Sequence, residues 1–181
     1  MPSPTEITVT QLSRLIGTSA APLLIDVRID EDFNLDPNFI PASRQWPHRD
    51  IAQLAADLKN HQVVLYCQKG KKISQGAMAL LRNQGVNAES LAGGHFAWRD
   101  AGLPLVPADK IPPRNTLGQT VWVTRHRPKI DRMACPWLIR RFIDPQAQFL
   151  FVAPAEVMGV AQKFDAIPFD VEDVFWTHRG Q

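Results

Sequence analysis

Residues 63–74 read VVLYCQKGKKIS, an apolar run that ends on Cys67 and continues into a loop rich in lysine. A continuous apolar run of this length is typical of a strand that is buried on both faces of a parallel sheet. Residues 74–84 then place apolar side chains on one stripe of a helix, and Gly85 is suited to end it. This stretch predicts a strand, a turn and a helix, with the cysteine at the turn.

The same alternation of strand and helix extends towards the N-terminus. Residues 7–9 and 23–27 are predicted strands. Predicted helices cover residues 11–17 and 50–58, the second with Asp50 as its cap. Apolar strands separated by amphipathic helices predict an α/β fold, with an open parallel sheet covered by helices on both faces.

Residues 102–115 carry four prolines and no hydrophobic periodicity, which predicts a linker. The expected organisation is a first domain over residues 5–106, a proline-rich linker over 107–116 and a second region over 117–181. The second region contains predicted strands at 120–123 and 149–152 and a helix within 132–144. We therefore expect it to be a smaller mixed α/β unit.

The composition indicates a globular chain, with 45% hydrophobic and 21% charged residues. No apolar stretch approaches the ~20 residues that span a bilayer, and the first residues lack the pattern of a signal peptide. The two cysteines make no disulfide framework, and a reducing compartment keeps thiols free. We expect a cytoplasmic protein with no membrane partner.

Charge is unevenly distributed in the second region. Residues 114–141 hold seven lysines or arginines against one acid, and residues 142–177 hold six acids against one lysine. A basic stretch can bind nucleic acid, but a solvated face paired with the acidic stretch is the favoured interpretation. Nucleic acid is not expected to be a partner, and the sequence leaves the oligomeric state open.

Cys67 is the main candidate for chemistry. Open α/β sheets bind their ligands at the carboxyl ends of the strands, where this cysteine lies. Backbone N–H groups of the loop, the start of the next helix and three lysines (Lys69, Lys71 and Lys72) all favour a thiolate over a thiol. The alternative is a buried structural cysteine, but such a cysteine does not need a cationic, flexible loop around it. The pattern predicts a nucleophilic sulfur.

Four motifs in order resemble the single-domain rhodanese family of sulfurtransferases over residues 5–106. They are LLIDVR (23–28), IPAS (40–43), YCQKGKKIS (66–74) and LAGGHFAWRDAGLP (91–104). The resemblance implies that Cys67 accepts a sulfane sulfur as a persulfide, from thiosulfate or a similar small anionic donor, and passes it to a thiol or cyanide. The residues implied in holding the donor are Gln68, Lys69, Gly70, Lys71 and Lys72. Asp26 and Arg28 are implied as structural support. We expect no cofactor and no metal.

The sequence departs from the family pattern at two places. Asn38 and Phe39 replace a glycine–histidine pair, a change that we expect to affect only a turn. Lys72 replaces an arginine, which keeps the charge but loses the planar two-point grip on an oxyanion. Donor affinity or donor choice is expected to differ as a result.

Two other catalytic interpretations are weaker. A cysteine phosphatase on this fold needs an arginine six positions after the cysteine, and Ile73 occupies that position. Gly93, Gly94 and His95 could suggest a catalytic histidine, but a tight turn before a short helix is the favoured interpretation.

The second region, from Trp122 to the last residue, resembles the C-terminal domain of chromate-resistance proteins. Relatives continue further, so a truncated domain is expected. Pro136 suits the first turn of a helix, which would place Cys135 at the helix N-terminus. A structural role is favoured for Cys135; the alternatives are a redox thiol, a resolving partner for Cys67, or a metal ligand with His126 or His178. This resemblance keeps open a second function, an oxyanion-sensing or regulatory binding protein in chromate stress.

Overall fold

The structure is a computed structural model that describes residues 4–127 and 130–177. The chain divides into two compact units after Ala108. Within the described ranges, no helix combines the length and the apolar character that crossing a bilayer requires.

The first unit is built on a parallel sheet of five strands in the order β1-β6-β5-β2-β4. Two further strands, β3 and β7, form a separate antiparallel pair. The seven strands are β1 (Glu6–Ile7), β2 (Leu23–Asp26), β3 (Asn38–Phe39), β4 (Ser43–Gln45), β5 (Gln62–Tyr66), β6 (Asn87–Leu91) and β7 (Val106–Pro107).

Helices cover both faces of this sheet. They are α1 (Val9–Leu15), α2 (Asp30–Leu35), α3 (Ala55–Leu58), which continues from a 3-10 helix at His48–Leu54, α4 (Lys72–Asn83) and α5 (Gly94–Asp100). On one face Val63 and Leu65 of β5 pack with Leu81 of α4, and on the other Val64 and Tyr66 pack with Trp98 of α5. The predicted fold class is confirmed.

The region around Asp50 differs from the prediction. Asp50 lies inside the 3-10 helix His48–Leu54, which follows Pro47 and has no side-chain cap. Ile51 and Leu54 are both buried. The Asp50 amide donates to the Pro47 carbonyl at 3.0 Å, so the 3-10 helix already begins before Asp50 and this residue cannot be its N-cap.

The Asn38–Phe39 pair is not a turn, which corrects the prediction. These residues form β3 and pair with Val106–Pro107 from the proline-rich segment. That segment also contains a short 3-10 helix at Ala108–Lys110. A two-residue strand is too short to show periodicity, so only its partner reveals it.

The second unit has a parallel sheet of three strands in the order β10-β8-β9. Its elements are β8 (Val121–Arg125), α6 (Ile130–Phe142), β9 (Gln148–Val152), α7 (Val157–Lys163) and β10 (Ile167–Pro168). Val123, Val157 and Ala166 form its small buried cluster.

The position of Pro136 was wrongly predicted. It lies well inside α6, so Cys135 is not at the start of that helix. The turn before it is held by the buried Arg132, whose Nε donates to Asp170 Oδ2 at 3.1 Å and whose terminal nitrogen donates to the His126 carbonyl at 3.3 Å. These bonds stabilise helical backbone ahead of a proline that interrupts the hydrogen-bond ladder.

Candidate active site

Cys67 follows the last residue of β5 and is almost fully buried, with 4% of its surface exposed. It lines a cavity of about 420 Å³ at the carboxyl end of the strand. The other lining residues are Ile29, Asp32, Gln68, Lys69, Lys71, Lys72 and Ile73. The structure therefore brings the predicted nucleophile together with four of the five residues predicted to hold the donor.

Ser74, which the sequence reasoning did not assign, contacts the sulfur directly. Its Oγ lies 3.2 Å from Cys67 Sγ and also donates to the Lys71 carbonyl at 3.2 Å. A hydroxyl has a single proton, so Ser74 can donate to only one of these atoms at a time. While it donates to Lys71 it accepts from the thiol, and once the thiol is ionised it can turn its proton towards the sulfur. In either case the Lys71 carbonyl accepts a hydrogen bond from the Gln75 amide at 2.9 Å.

Gly70 does not line the cavity but fixes the loop from behind. Its φ of +61° is in the left-handed region, and a Cβ there would lie 2.5 Å from the Gly94 amide nitrogen. The start of α5 also holds the loop through two hydrogen bonds of 3.0 Å, from His95 N to the Cys67 carbonyl and from Phe96 N to the Gln68 carbonyl. Gly93 and Gly94 thus form a turn and also bring the start of α5 into close backbone contact with the loop after Cys67.

The His95 side chain points into a buried polar network. Its Nε2 lies 3.1 Å from Asp36 Oδ2, and its ring stacks on Tyr66 with 6.3 Å between centroids. Burial, followed by the charge of Arg28, lowers the pKa of His95. In the described part of the chain His95 does not line the Cys67 cavity. Its contacts with Asp36 and Tyr66 instead pack the start of α5 against the rest of the unit.

Asp36 is the charged partner in this network. Burial pushes the pKa of its carboxyl up, but hydrogen bonds from Asn38 and His95 outweigh that effect and lower the pKa overall. The Arg99 guanidinium, 3.4 Å away, acts in the same direction. Asp36 therefore remains a carboxylate that ties α5 to the segment after α2.

Asp26 and Arg28 form a fully buried ion pair at the end of β2. Arg28 Nε donates to Asp26 Oδ2 at 2.8 Å, and its terminal nitrogens donate to the carbonyls of Asp36 and Asn38, both at 2.8 Å. The charges compensate each other, and two of the Arg28 hydrogen bonds anchor backbone carbonyls, which suits a supporting role. The pair fixes the chain on either side of α2, which carries Asp32.

Cys135 lies in the second unit and lines a separate apolar cavity with Leu138, Ile139 and Phe142. His126 is exposed, and His178 lies outside the described residues. Across residues 4–127 and 130–177, no three His, Cys, Asp or Glu side chains gather as metal ligands would.

Comparison with protein families explains the arrangement around Cys67. The family described as a rhodanese-like domain matches residues 8–101, more than half of the chain. The chain belongs to the rhodanese-like family. Outside this rhodanese-like unit, residues 122–181 match the C-terminal domain of ChrB. Both resemblances drawn from the sequence are confirmed.

Individual relatives of the rhodanese-like chain support both assignments. Protein ChrB of Cupriavidus metallidurans is 36% identical over 104 residues, which cover 51% of this chain and 31% of that protein. A sulfurtransferase of Allochromatium vinosum is 29% identical over 102 residues, covering 56% of this chain and 94% of that protein. The chain thus spans about a third of ChrB. The crystal structure of a full-length Lactobacillus plantarum protein shares the fold, with a TM-score of 0.50 and 23% identity over 57% of this chain and 88% of that one.

Proposed function

We propose that the rhodanese-like unit is a sulfurtransferase that carries sulfur as a persulfide on Cys67. One observation carries the proposal: Cys67 lines one cavity together with Lys69, Lys71 and Lys72. Membership in the rhodanese-like family and the similarity to a sulfurtransferase support it. The donor that fits best is a small anion that carries a sulfane sulfur, such as thiosulfate.

The reaction has two steps that share the same sulfur. The Cys67 thiolate attacks the outer sulfur of thiosulfate, the sulfur–sulfur bond of the donor breaks, and sulfite leaves with the electron pair. A thiolate or cyanide then attacks the outer sulfur of the persulfide and releases Cys67 as a thiolate. The lysines stabilise the anionic donor and leaving group. The Ser74 hydroxyl donates a hydrogen bond to the Cys67 sulfur while that sulfur is charged.

Intact-mass spectrometry of the whole chain tests this function. After exposure to thiosulfate and removal of the excess, we expect a gain of one sulfur atom per chain, which cyanide removes as thiocyanate. The Cys67→Ser variant serves as the control and is expected to gain none. A wild-type mass that does not change with thiosulfate or with another sulfane donor would contradict the proposal.

The ChrB relationship favours one second candidate, an oxyanion-sensing or regulatory protein in chromate stress. The same lysine-lined cavity would then bind an oxyanion without turnover. Titration of the Cys67→Ser variant with sulfate separates the two functions, because this variant cannot form a persulfide. Tight sulfate binding, together with no sulfur loading of the wild type, would favour the sensor.

A further inference from the structure

The cavity around Cys67 also contains an acidic side chain, Asp32. This residue lies in the first turn of α2, is partly buried, and lines the cavity together with the three lysines. Over residues 4–127 and 130–177 no hydrogen bond or ion pair engages its carboxylate. In a cavity that bound only an anionic donor, a negative charge would weaken the binding of that donor. We therefore expect the carboxylate to bind a positively charged group of a ligand.

Stabilisation of α2 does not account for Asp32. Acidic side chains are favourable at the start of a helix, but Asp30 and Glu31 occupy the same first turn and already supply that charge. Both line a neighbouring cavity of about 510 Å³ that Arg28, Gln45 and Arg49 also line and that Cys67 does not reach. Asp32 is the acid of this turn that shares a cavity with the sulfur.

We propose that Asp32 selects the sulfur acceptor, and that this acceptor is a small aminothiol such as cysteine. The inference rests on the proposed Cys67 persulfide. The protonated amine of the acceptor pairs with Asp32, its thiol approaches the outer sulfur, and a carboxylate, where the acceptor has one, pairs with a lysine of the loop. A cavity of about 420 Å³ is within the range that holds small ligands.

The transfer step balances without a further reactant. The acceptor thiolate forms a bond to the outer sulfur of Cys67–S–SH, and the bond between that sulfur and Cys67 Sγ breaks. Cys67 leaves as a thiolate with the electron pair, and the acceptor departs as a hydropersulfide that keeps the proton. An ammonium group held by Asp32 places the acceptor sulfur beside the persulfide, which raises the rate by orientation.

A two-stage experiment on the full chain tests the inference. The persulfide is first loaded with thiosulfate and quantified by mass, and the excess donor is removed. Transfer is then timed to cysteamine, 2-mercaptoethanol and 3-mercaptopropionate, which carry a positive, zero and negative charge beside the thiol. Asp32→Asn removes the charge under test, Asp30→Asn is the matched control on the same helical turn, and Asp32→Glu retains the charge.

For Asp32→Asn we expect the rate ratio of cysteamine to 2-mercaptoethanol to fall about fivefold, the scale of a partly exposed ion pair. The ratio of 3-mercaptopropionate to 2-mercaptoethanol should rise. Asp30→Asn should leave both ratios at the wild-type values, and Asp32→Glu should keep most of the cysteamine preference. Comparing the same ratio between variant and wild type cancels the intrinsic reactivity of each thiol.

The outcomes separate this inference from the proposed function. Loading that fails in the wild type overturns the persulfide itself. Normal loading with the same acceptor ratios in wild type and Asp32→Asn overturns only the role of Asp32. An equal change in Asp30→Asn also overturns it, because the effect would then belong to the general charge of α2. The amount of persulfide loaded on each variant reports whether its site is folded.

Discussion

Gly70 and Gly94 approach each other so closely that a Cβ on Gly70 would lie 2.5 Å from the Gly94 amide nitrogen. Both have positive φ, +61° and +60°. Gly70 belongs to the loop after Cys67 and Gly94 to the first turn of α5, so the contact sets the position of the loop. The geometry of the sulfur site thus depends on a helix more than twenty residues further along the chain.

Gly94→Ala is expected to destabilise the first unit and reduce sulfur transfer. The left-handed backbone alone costs an L-residue about 1–2 kcal/mol, and the added Cβ would collide with the Cys67 carbonyl. Gly76→Ala in α4 is the matched control, because a Cβ there meets nothing within 4 Å and alanine favours a helix. Thermal unfolding and persulfide loading measure both effects. Equal behaviour of the two variants would contradict the positioning role of Gly94.

Cys67→Ser is expected to abolish sulfur transfer to cyanide, whereas Cys135→Ser should retain most of it. The reason is that Cys67 shares a cavity with the lysines, while Cys135 lies in a helix of the second unit. The assay is thiocyanate release from thiosulfate and cyanide. Comparable losses in both variants would bring Cys135 into the mechanism.

Lys69→Met and Lys72→Met are each expected to lower kcat/KM for thiosulfate about fivefold, the scale of a solvent-exposed charge interaction. Lys59→Met controls for net charge, since Lys59 is exposed and lies at the end of α3. If the thiosulfate kinetics of both lysine variants match the wild type, these lysines are only solvated surface and do not bind the donor.

His95 is expected to make the first unit less stable as the pH falls. Its pKa is lowered in the folded state by burial and by Arg28, so the unfolded chain binds more protons below about pH 6.5. The free energy of unfolding should therefore decrease as the pH drops below that value, down to the folded pKa.

Hydrogen exchange of the β5 amides, followed between about pH 7.5 and pH 5.5, measures the unfolding of this unit by itself. In His95→Gln the pH dependence should be shallower, whatever the overall stability of the variant. An unchanged slope would assign the pH dependence to other groups.

The sequence allowed the sheet and the nucleophile to be predicted because both leave a local signal. Residues 63–66 are continuously apolar, and Cys67 ends that run beside three lysines. The LLIDVR motif predicts a supporting role for Asp26 and Arg28, and the structure shows them as a buried ion pair. The roles of these residues in sulfur transfer stay predictions until they are measured.

Contacts between distant segments could not be read from the sequence. The β3–β7 pairing joins Asn38–Phe39 to Val106–Pro107, and two residues are too few to show a period. Pro136 was placed in a first turn by its local preference, but the buried hydrogen bonds of Arg132 favour an earlier helix start. In each case tertiary contacts outweighed local propensity.

The sequence by itself determined the fold class and which cysteine ends a buried strand, because hydrophobic period and residue order are properties of neighbouring positions. Only the tertiary structure decided that Ser74 contacts the sulfur, that Gly94 fixes the loop and that Asp32 shares the cavity with Cys67. For Gly94 and Asp32 the physical reason is that segments distant in sequence meet at the carboxyl end of one strand, and no local pattern encodes such a meeting. Ser74 is only seven residues from Cys67, but its contact depends on the path of the loop between them.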